Sequence, residues 1–187
     1  MSIAGTSYTL MDLLTDQLLA NDALLDYKVK LLRSEDFSSS LQNIVSLFLY
    51  RVDVDETRRN VEINRNSLAG PRCISLGLEL HYLLTIWGGA SAEGEHSMLQ
   101  NCMDIFHRYP ILSGPLLSSQ EKWDEHDALR LSLAPVTHED LMRLWDGFDH
   151  PYKLSVPYVV KTVRLSPREF NDSVVMNRTL AIGGKLR

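Results

Sequence analysis

The residues that most resemble a chemical motif are Gly89-Ala-Ser-Ala-Glu-Gly94, a G-x-x-x-x-G run between a predicted strand and a predicted helix. In a phosphate-binding loop, a Lys and then a Ser or Thr follow the second glycine. Here those positions hold Glu95 and His96, and a carboxylate repels the phosphates that the lysine attracts. The run is therefore interpreted as a flexible strand-to-helix turn.

The histidine and cysteine residues do not form a zinc or nucleophile motif. The zinc pattern H-E-x-x-H needs a second histidine four residues after the first, but His138-Glu139 is followed at that position by Met142. Cys73 lies in a strand pattern and Cys102 on the apolar face of a helix, so both are predicted to be core residues rather than a bridge. No catalytic residue, metal or cofactor is predicted.

One polar pair remains as a candidate site. Glu79 and His81 are two residues apart and share one face of a strand, where a fold that brought Glu95 or His96 close would complete a site. A half-exposed polar strand face, or a subunit interface, explains the same residues. The alternative function is therefore a small intracellular enzyme or ligand-binding module that uses the Glu79/His81 face.

The composition is that of one globular domain with an uneven charge. The 187 residues are 44% hydrophobic and 23% charged, with a net charge of -5, and a chain of this length buries a substantial core. Residues 151–187 carry seven Lys/Arg against Glu169 and Asp172, a local charge of +5, which leaves -10 on residues 1–150. An acidic body argues against nucleic acid as the main partner, because phosphate binding needs a concentrated basic face.

The sequence also predicts no membrane partner. No apolar run approaches the roughly 20 residues that span a bilayer. The first ten residues, MSIAGTSYTL, have no basic region ahead of an apolar one, so we expect no secretory signal. Two cysteines fit a reducing compartment, which predicts assembly in the cytoplasm.

The predicted fold is built around the stretch Cys73–Trp87, CISLGLELHYLLTIW. Apolar residues fall on every second position from Ile74 to Ile86, which predicts a strand with one face in the core throughout. The other face is polar up to His81 and apolar afterwards. This pattern indicates a central strand whose second face is only partly covered.

The remaining elements predict an α+β fold: a single domain with a mostly antiparallel or mixed sheet of about five strands, backed by about three helices. Helices are predicted at 7–20, with Ser7 as the N-cap, at 91–109, and after Thr137. The other strands are predicted at 26–33, 43–54, 128–133 and 153–165, whereas residues 111–126 are predicted to have no regular secondary structure. Residues 43–54 are apolar on both faces, as in a covered sheet. Pro157 predicts a sheet edge or a bulge, because proline cannot donate to a ladder.

A long polar connection, residues 55–72, joins two of these strands. The simplest structure is an antiparallel hairpin with an extended loop. Long loops in compact domains are often functional, and a disordered tip is the other interpretation.

Four segments together resemble the cap, or tail-terminator, proteins of phage-tail-like contractile injection systems of the anti-feeding-prophage and virulence-cassette type. They occur in the family's order across roughly residues 8–166. The segments are LFLYRV at 47–52, LELHYLLT at 78–85, EH at 95–96 with YPIL at 109–112, and LW at 144–145 with PYKLSVPY at 151–158.

The resemblance implies a non-enzymatic building block with a phage tail-terminator-like fold. Such proteins form a homohexameric ring that closes the distal end of the inner tube and sheath, ends polymerisation and fixes particle length. The implied partners are therefore other copies of the chain, an inner tube protein and a sheath protein, in a particle that assembles in the cytoplasm and is then released.

The resemblance divides the chain into a domain, residues 1–166, and a C-terminal tail, residues 167–187, that begins where Pro167 breaks the final strand. Apolar and basic residues alternate in short clusters along the tail, which predicts an interaction arm that reaches a neighbouring subunit or the sheath. A tail folded back on its own sheet, or left disordered, is the alternative. The predicted interface residues are Val174, Val175, Met176, Arg178, Leu180 and Ile182.

Overall fold

The computed structural model describes residues 2–20, 27–37, 41–55, 62–63, 73–74, 76–88, 91–125, 127–148 and 150–165. Within these ranges the fold is α+β, as predicted, with three α-helices and eight strands. The helices are α1 (Ile3–Leu19), α2 (Ala92–Arg108) and α3 (His138–Asp146). The strands are β1 (Lys28–Leu31), β2 (Ile44–Val54), β3 (Glu62–Ile63), β4 (Cys73–Ile74), β5 (Leu76–Trp87), β6 (Ile111–Ser113), β7 (Ala128–Leu133) and β8 (Ser155–Leu165).

Six of the strands form one mixed sheet in the order β1-β2-β5-β8-β7-β6, and β3 pairs with β4 separately. Every pair in the main sheet is antiparallel except β1 with β2. The predicted count of about five strands is one too low for this sheet. The missing strand is β6, whose three residues are too few to show an alternating pattern in the sequence.

The predicted hairpin is confirmed, because β2 and β5 pair antiparallel from Ile44 opposite Trp87 to Val54 opposite Leu78. Its connecting residues 56–61, 64–72 and 75 lie outside the described ranges. Strand β5 lies between β2 and β8, so the predicted central strand is central in the structure.

One face of the sheet, called the inner face below, carries the main core. Leucines of α1 and the apolar stripe of α2 pack on alternate residues of β5, all of them buried. The β5 residues of this face are Leu78, Leu80, Tyr82, Leu84 and Ile86. The period-two pattern of the sequence therefore marks a buried face from Leu78 to Ile86, but the prediction that this face lies in the core throughout is wrong at Leu76, which is 40% exposed.

The opposite face, called the outer face, is covered only over half of β5. Leu83 and Trp87 pack there with Phe37 and with Trp145 of α3. The ring of Phe37 contacts those of Trp87 and Phe148, with centroids 5.1 and 4.6 Å apart. This aromatic cluster confirms the prediction that the second face of the strand is covered only after His81.

The start of α1 differs from the prediction. The helix begins at Ile3, and Ser2 is the N-cap, since its hydroxyl accepts a hydrogen bond from the Gly5 amide at 2.8 Å. Ser7 lies inside the helix, where its hydroxyl is 2.7 Å from the Tyr82 hydroxyl in a buried hydrogen bond. The predicted cap residue therefore joins α1 to the central strand instead.

Close packing against a loop explains the small residues at the start of α1. A Cβ atom on Gly5 would lie 2.8 Å from Glu121 Cγ and 3.1 Å from the Trp123 ring. Further along the helix, Thr9 Oγ1 accepts a hydrogen bond from the Ser118 amide at 3.0 Å. These contacts fix the loop that follows β6 onto the first half of the helix.

The prediction for Pro157 is wrong, because β8 is an interior strand between β5 and β7. Pro157 pairs with Leu83 in regular register, and the irregularity of this ladder falls instead between Leu78 and Leu80. The Pro157 carbonyl accepts a hydrogen bond from Ala134, just past the end of β7. In an antiparallel ladder the N–H and C=O of a residue point to the same side. The N–H that proline lacks would therefore point toward Ala134, where β7 has already ended.

We expect Tyr82→Phe to lower the free energy of unfolding by about 1 kcal/mol, because it removes one buried hydroxyl hydrogen bond. Ser7→Ala should cost about 1–3 kcal/mol, since it leaves the Tyr82 hydroxyl buried without this partner. Urea unfolding of the two variants and the double variant measures the coupling. Additive effects would contradict a direct Ser7–Tyr82 bond.

Candidate functional site

The three central strands extend beyond their neighbours at one end of the sheet. Strand β1 pairs with β2 only up to Leu47, and β7 pairs with β8 only up to Lys161. Strands β2, β5 and β8 continue together to Leu165, which lies opposite Leu76. This three-stranded projection, formed by residues 49–54, 76–82 and 162–165, is the candidate functional site.

Charged residues occupy the outer face of the projection. Asp53 Oδ2 lies 2.7 Å from Arg51 Nε and 3.0 Å from His81 Nε2. At the base of the projection, Lys161 Nζ lies 2.9 Å from Glu79 Oε1, and Lys161 is about half exposed. Such partly exposed pairs contribute only about 0–1 kcal/mol each, so they set the charge pattern of the surface more than the stability of the fold.

An irregularity in the β2–β5 ladder brings two of these charged residues to the outer face. The β2–β5 register shifts between Leu49 and Arg51, so Tyr50 is an extra residue in β2. A β-bulge of this kind twists the strand and re-aims its side chains. The shift places Arg51 opposite His81 and Asp53 opposite Glu79, whereas an unbroken alternation would have put them on the inner face.

Tyr50 and His81 lie side by side where the aromatic cluster ends and the charged cluster begins, with ring centroids 5.9 Å apart. Burial raises the pKa of the Tyr50 hydroxyl. Its oxygen is buried and makes no hydrogen bond within the described part of the chain, and His81 Nε2 is close to Asp53 without hydrogen-bond geometry. The pair therefore forms a polar border that is shielded from water.

The inner face of the projection is apolar and exposed. Val52, Val54 and Leu76 have exposed fractions of 45%, 40% and 40%, whereas Leu78 and Leu80 on the same face are buried. The prediction that β2 is covered on both faces therefore holds only for its first half. An exposed apolar stripe beside ion-paired residues is typical of a protein contact surface.

The predicted site of Glu79 and His81 with Glu95 or His96 is not formed. Glu95 and His96 lie in the first turn of α2, which packs on the inner face, and Glu95 lies 3.4 Å from Lys153 Nζ. Glu79 and His81 lie on the outer face, because odd-numbered residues of β5 point there. The sheet separates the two pairs.

The other candidate residues have structural roles or lie outside the described ranges. Gly94 is in α2, and its amide donates to the N-cap Ser91, whereas Gly89 and Ala90 of the predicted turn lie outside the described ranges. Cys102 is a free, buried thiol, and burial raises its pKa to about 12. All six predicted interface residues lie between 174 and 182, beyond the last described residue.

The described ranges contain neither a metal-binding cluster nor a membrane-spanning helix. No group of three or more His, Cys, Asp or Glu residues there is arranged to hold a metal ion. None of the helices described is long and apolar enough to cross a membrane. Among the described residues, the projection has paired charges on one face, an apolar stripe on the other, and strand edges that no described strand covers.

The fold is an α+β domain, and a family model identifies it. The model of the Pvc16 N-terminal domain matches residues 5–175. This chain belongs to that family. The match begins two residues into α1 and ends at residue 175, within the predicted tail.

Solved structures of two contractile injection systems share the fold. The sheath/tube terminator of a PVC extracellular contractile injection system in the extended state matches with a TM-score of 0.67, 17% identity and all of this chain covered. The tube-terminating cap of the anti-feeding prophage matches with a TM-score of 0.57, 15% identity and 92% of this chain covered. The chain spans 64% and 59% of those proteins. No match was found among curated proteins.

We expect His81→Ala combined with His96→Ala to leave the bound-metal content unchanged and near zero, because the two side chains lie on opposite sides of the sheet. Metal analysis of the purified protein by inductively coupled plasma mass spectrometry checks this. A stoichiometric metal in the unmodified protein that the double variant loses would contradict the expectation.

Proposed function

We propose that this chain is a structural, non-enzymatic component of a contractile injection particle, in which a ring of identical copies caps the distal end of the inner tube and sheath. The cap stops polymerisation and so sets particle length. The observation that carries this proposal is the match of the whole chain to a sheath/tube terminator, together with the family match over residues 5–175.

The architecture suits such a role. A terminating subunit must be rigid enough not to deform on contact with its neighbours. Both faces of the central strands are packed over half of their length. Close-packed cores deform little. The projection presents exposed apolar side chains and strand edges, which we propose for contacts with tube, sheath or another copy.

Ring closure needs two different, complementary surfaces on each copy, because a cyclic assembly joins subunits head to tail. The residues after β8, 166–187, carry four Lys/Arg against two Asp/Glu, a charge of +2, which leaves -7 on residues 1–165. Opposite charges on the two contacting surfaces favour the correct encounter between copies. This asymmetry supports a heterologous interface, for which we propose a sixfold ring.

We expect closed hexamers in the purified protein, or once a tube end is supplied. Native mass spectrometry gives the number of copies, and electron microscopy of tagged particle ends gives their position. A strict monomer in solution that is also absent from particle ends would contradict the proposal.

Removal of residues 167–187 tests whether the tail is the predicted interaction arm. We expect the melting temperature to stay within a few degrees, since a loss of ~1 kcal/mol shifts it by about 2–4 °C for a chain of this size, while ring formation or capping is lost. Calorimetry and native mass spectrometry measure the two effects. A large drop in melting temperature would show instead that the tail belongs to the core of its own domain.

A further inference from the structure

The outer edge of β2 is an open strand edge in the described part of the chain. Strand β1 covers it from Ile44 to Leu47, and no described strand pairs with it from Leu49 to Val54. Natural proteins protect long open edges because the unpaired backbone groups are a template for another strand. This edge is six residues long, which is the length of an average strand.

The backbone groups that face outward belong to two valines. The Asp55 amide donates to the Gly77 carbonyl at 2.9 Å, so the backbone of Asp55 faces β5. Backbone groups of an antiparallel strand alternate in direction from residue to residue. The N–H and C=O groups of Val54 and Val52 therefore point away from β5, toward the open side.

The same two residues carry exposed apolar side chains. Val52 and Val54 are 45% and 40% exposed on the inner face, and Leu76 of the neighbouring strand extends the stripe. The site therefore combines main-chain groups that no described strand pairs with and an apolar surface beside them. Strand addition uses both features, since main-chain hydrogen bonds give affinity and side-chain contacts give specificity.

The C-terminal segment begins at this projection. Strand β8 ends at Leu165, opposite Leu76, with its direction pointing away from the body of the domain. Twenty-two residues follow, and they contain the apolar cluster Val174-Val175-Met176. The eight residues before this cluster span up to about 26 Å when extended, which is enough to reach an adjacent copy.

We propose that the Val174-Val175-Met176 cluster of one copy adds as a strand to the open edge of β2 in the neighbouring copy, and packs its apolar side chains against Val52, Val54 and Leu76. This contact rests on the proposed ring, and it specifies which surfaces join its subunits. Each copy gives one strand and receives one, so the contact repeats around a closed ring.

Disulfide trapping between two full-length copies tests the contact. One copy carries Val54→Cys, a second copy with a mass tag carries Cys at position 174, 175 or 176, and both carry Cys73→Ser to remove a competing thiol. Cys102 stays, because it is buried. The mixture is oxidised with copper-phenanthroline, and the mixed disulfide is quantified by mass spectrometry.

We expect the mixed disulfide to exceed by about tenfold or more that of a matched control, in which the exposed Arg108 of α2 carries the cysteine in place of Val54, because docking raises the effective concentration of the two thiols. A strand presents alternate side chains to one face. Position 175, or else positions 174 and 176, should therefore react preferentially.

The outcomes separate this inference from the proposed function. Closed rings with the mixed disulfide at the control level would overturn the strand addition and leave the ring standing. A strong mixed disulfide without closed rings, in solution or at particle ends, would support the strand addition and contradict the ring. In a further variant that carries both cysteines in one chain, a bond within the chain, with no mixed disulfide between copies, would show that the tail docks on its own sheet, which also overturns the inference.

Discussion

The structure depends on one constraint, the burial of β5 on both faces along half of its length. From Tyr82 to Trp87, the even-numbered residues pack in the core under α1 and α2, while Leu83 and Trp87 pack in the aromatic cluster on the other face. A slip of one residue would exchange the two faces, so the register of β2, β5 and β8 is fixed wherever both faces are packed. The buried polar contacts reinforce this register, since Trp87 Nε1 donates to Ser46 Oγ at 2.6 Å across the β2–β5 pair.

The outer face of β5 is no longer covered at His81 and Glu79, so packing on both faces no longer fixes the register there. Both ladder irregularities lie at Tyr50 and Glu79, next to or within the projection. Ion pairs replace the aromatic cluster on the outer face, and exposed valines replace the buried leucines on the inner face. The same three strands are thus packed on both faces at one end and partly exposed at the other, and the exposed end is the surface that the proposed ring would use.

The sequence predicted the parts of this fold that rest on local patterns. The alternation in β5, the apolar stripe of α2 and the Thr137 cap of α3 each depend on residues close in the chain. Three features were missed for different reasons. The parallel pairing of β1 depends on tertiary contacts, β6 is too short to show an alternating pattern, and Ser7 was predicted as the cap of α1 in place of Ser2. The candidate site was half predicted. Glu79 and His81 were identified, but the bulge at Tyr50 that brings Arg51 and Asp53 beside them has no signal in the alternation of β2.

The central claim is that this chain ends the growth of an injection particle, and particle length tests it most directly. Electron microscopy would measure the length distribution of particles from cells that produce all other components, with and without this chain. The account predicts a narrow distribution with the chain and a broad one, with overlong or open-ended tubes, without it. Particles of unchanged length with closed ends in the absence of the chain would contradict it.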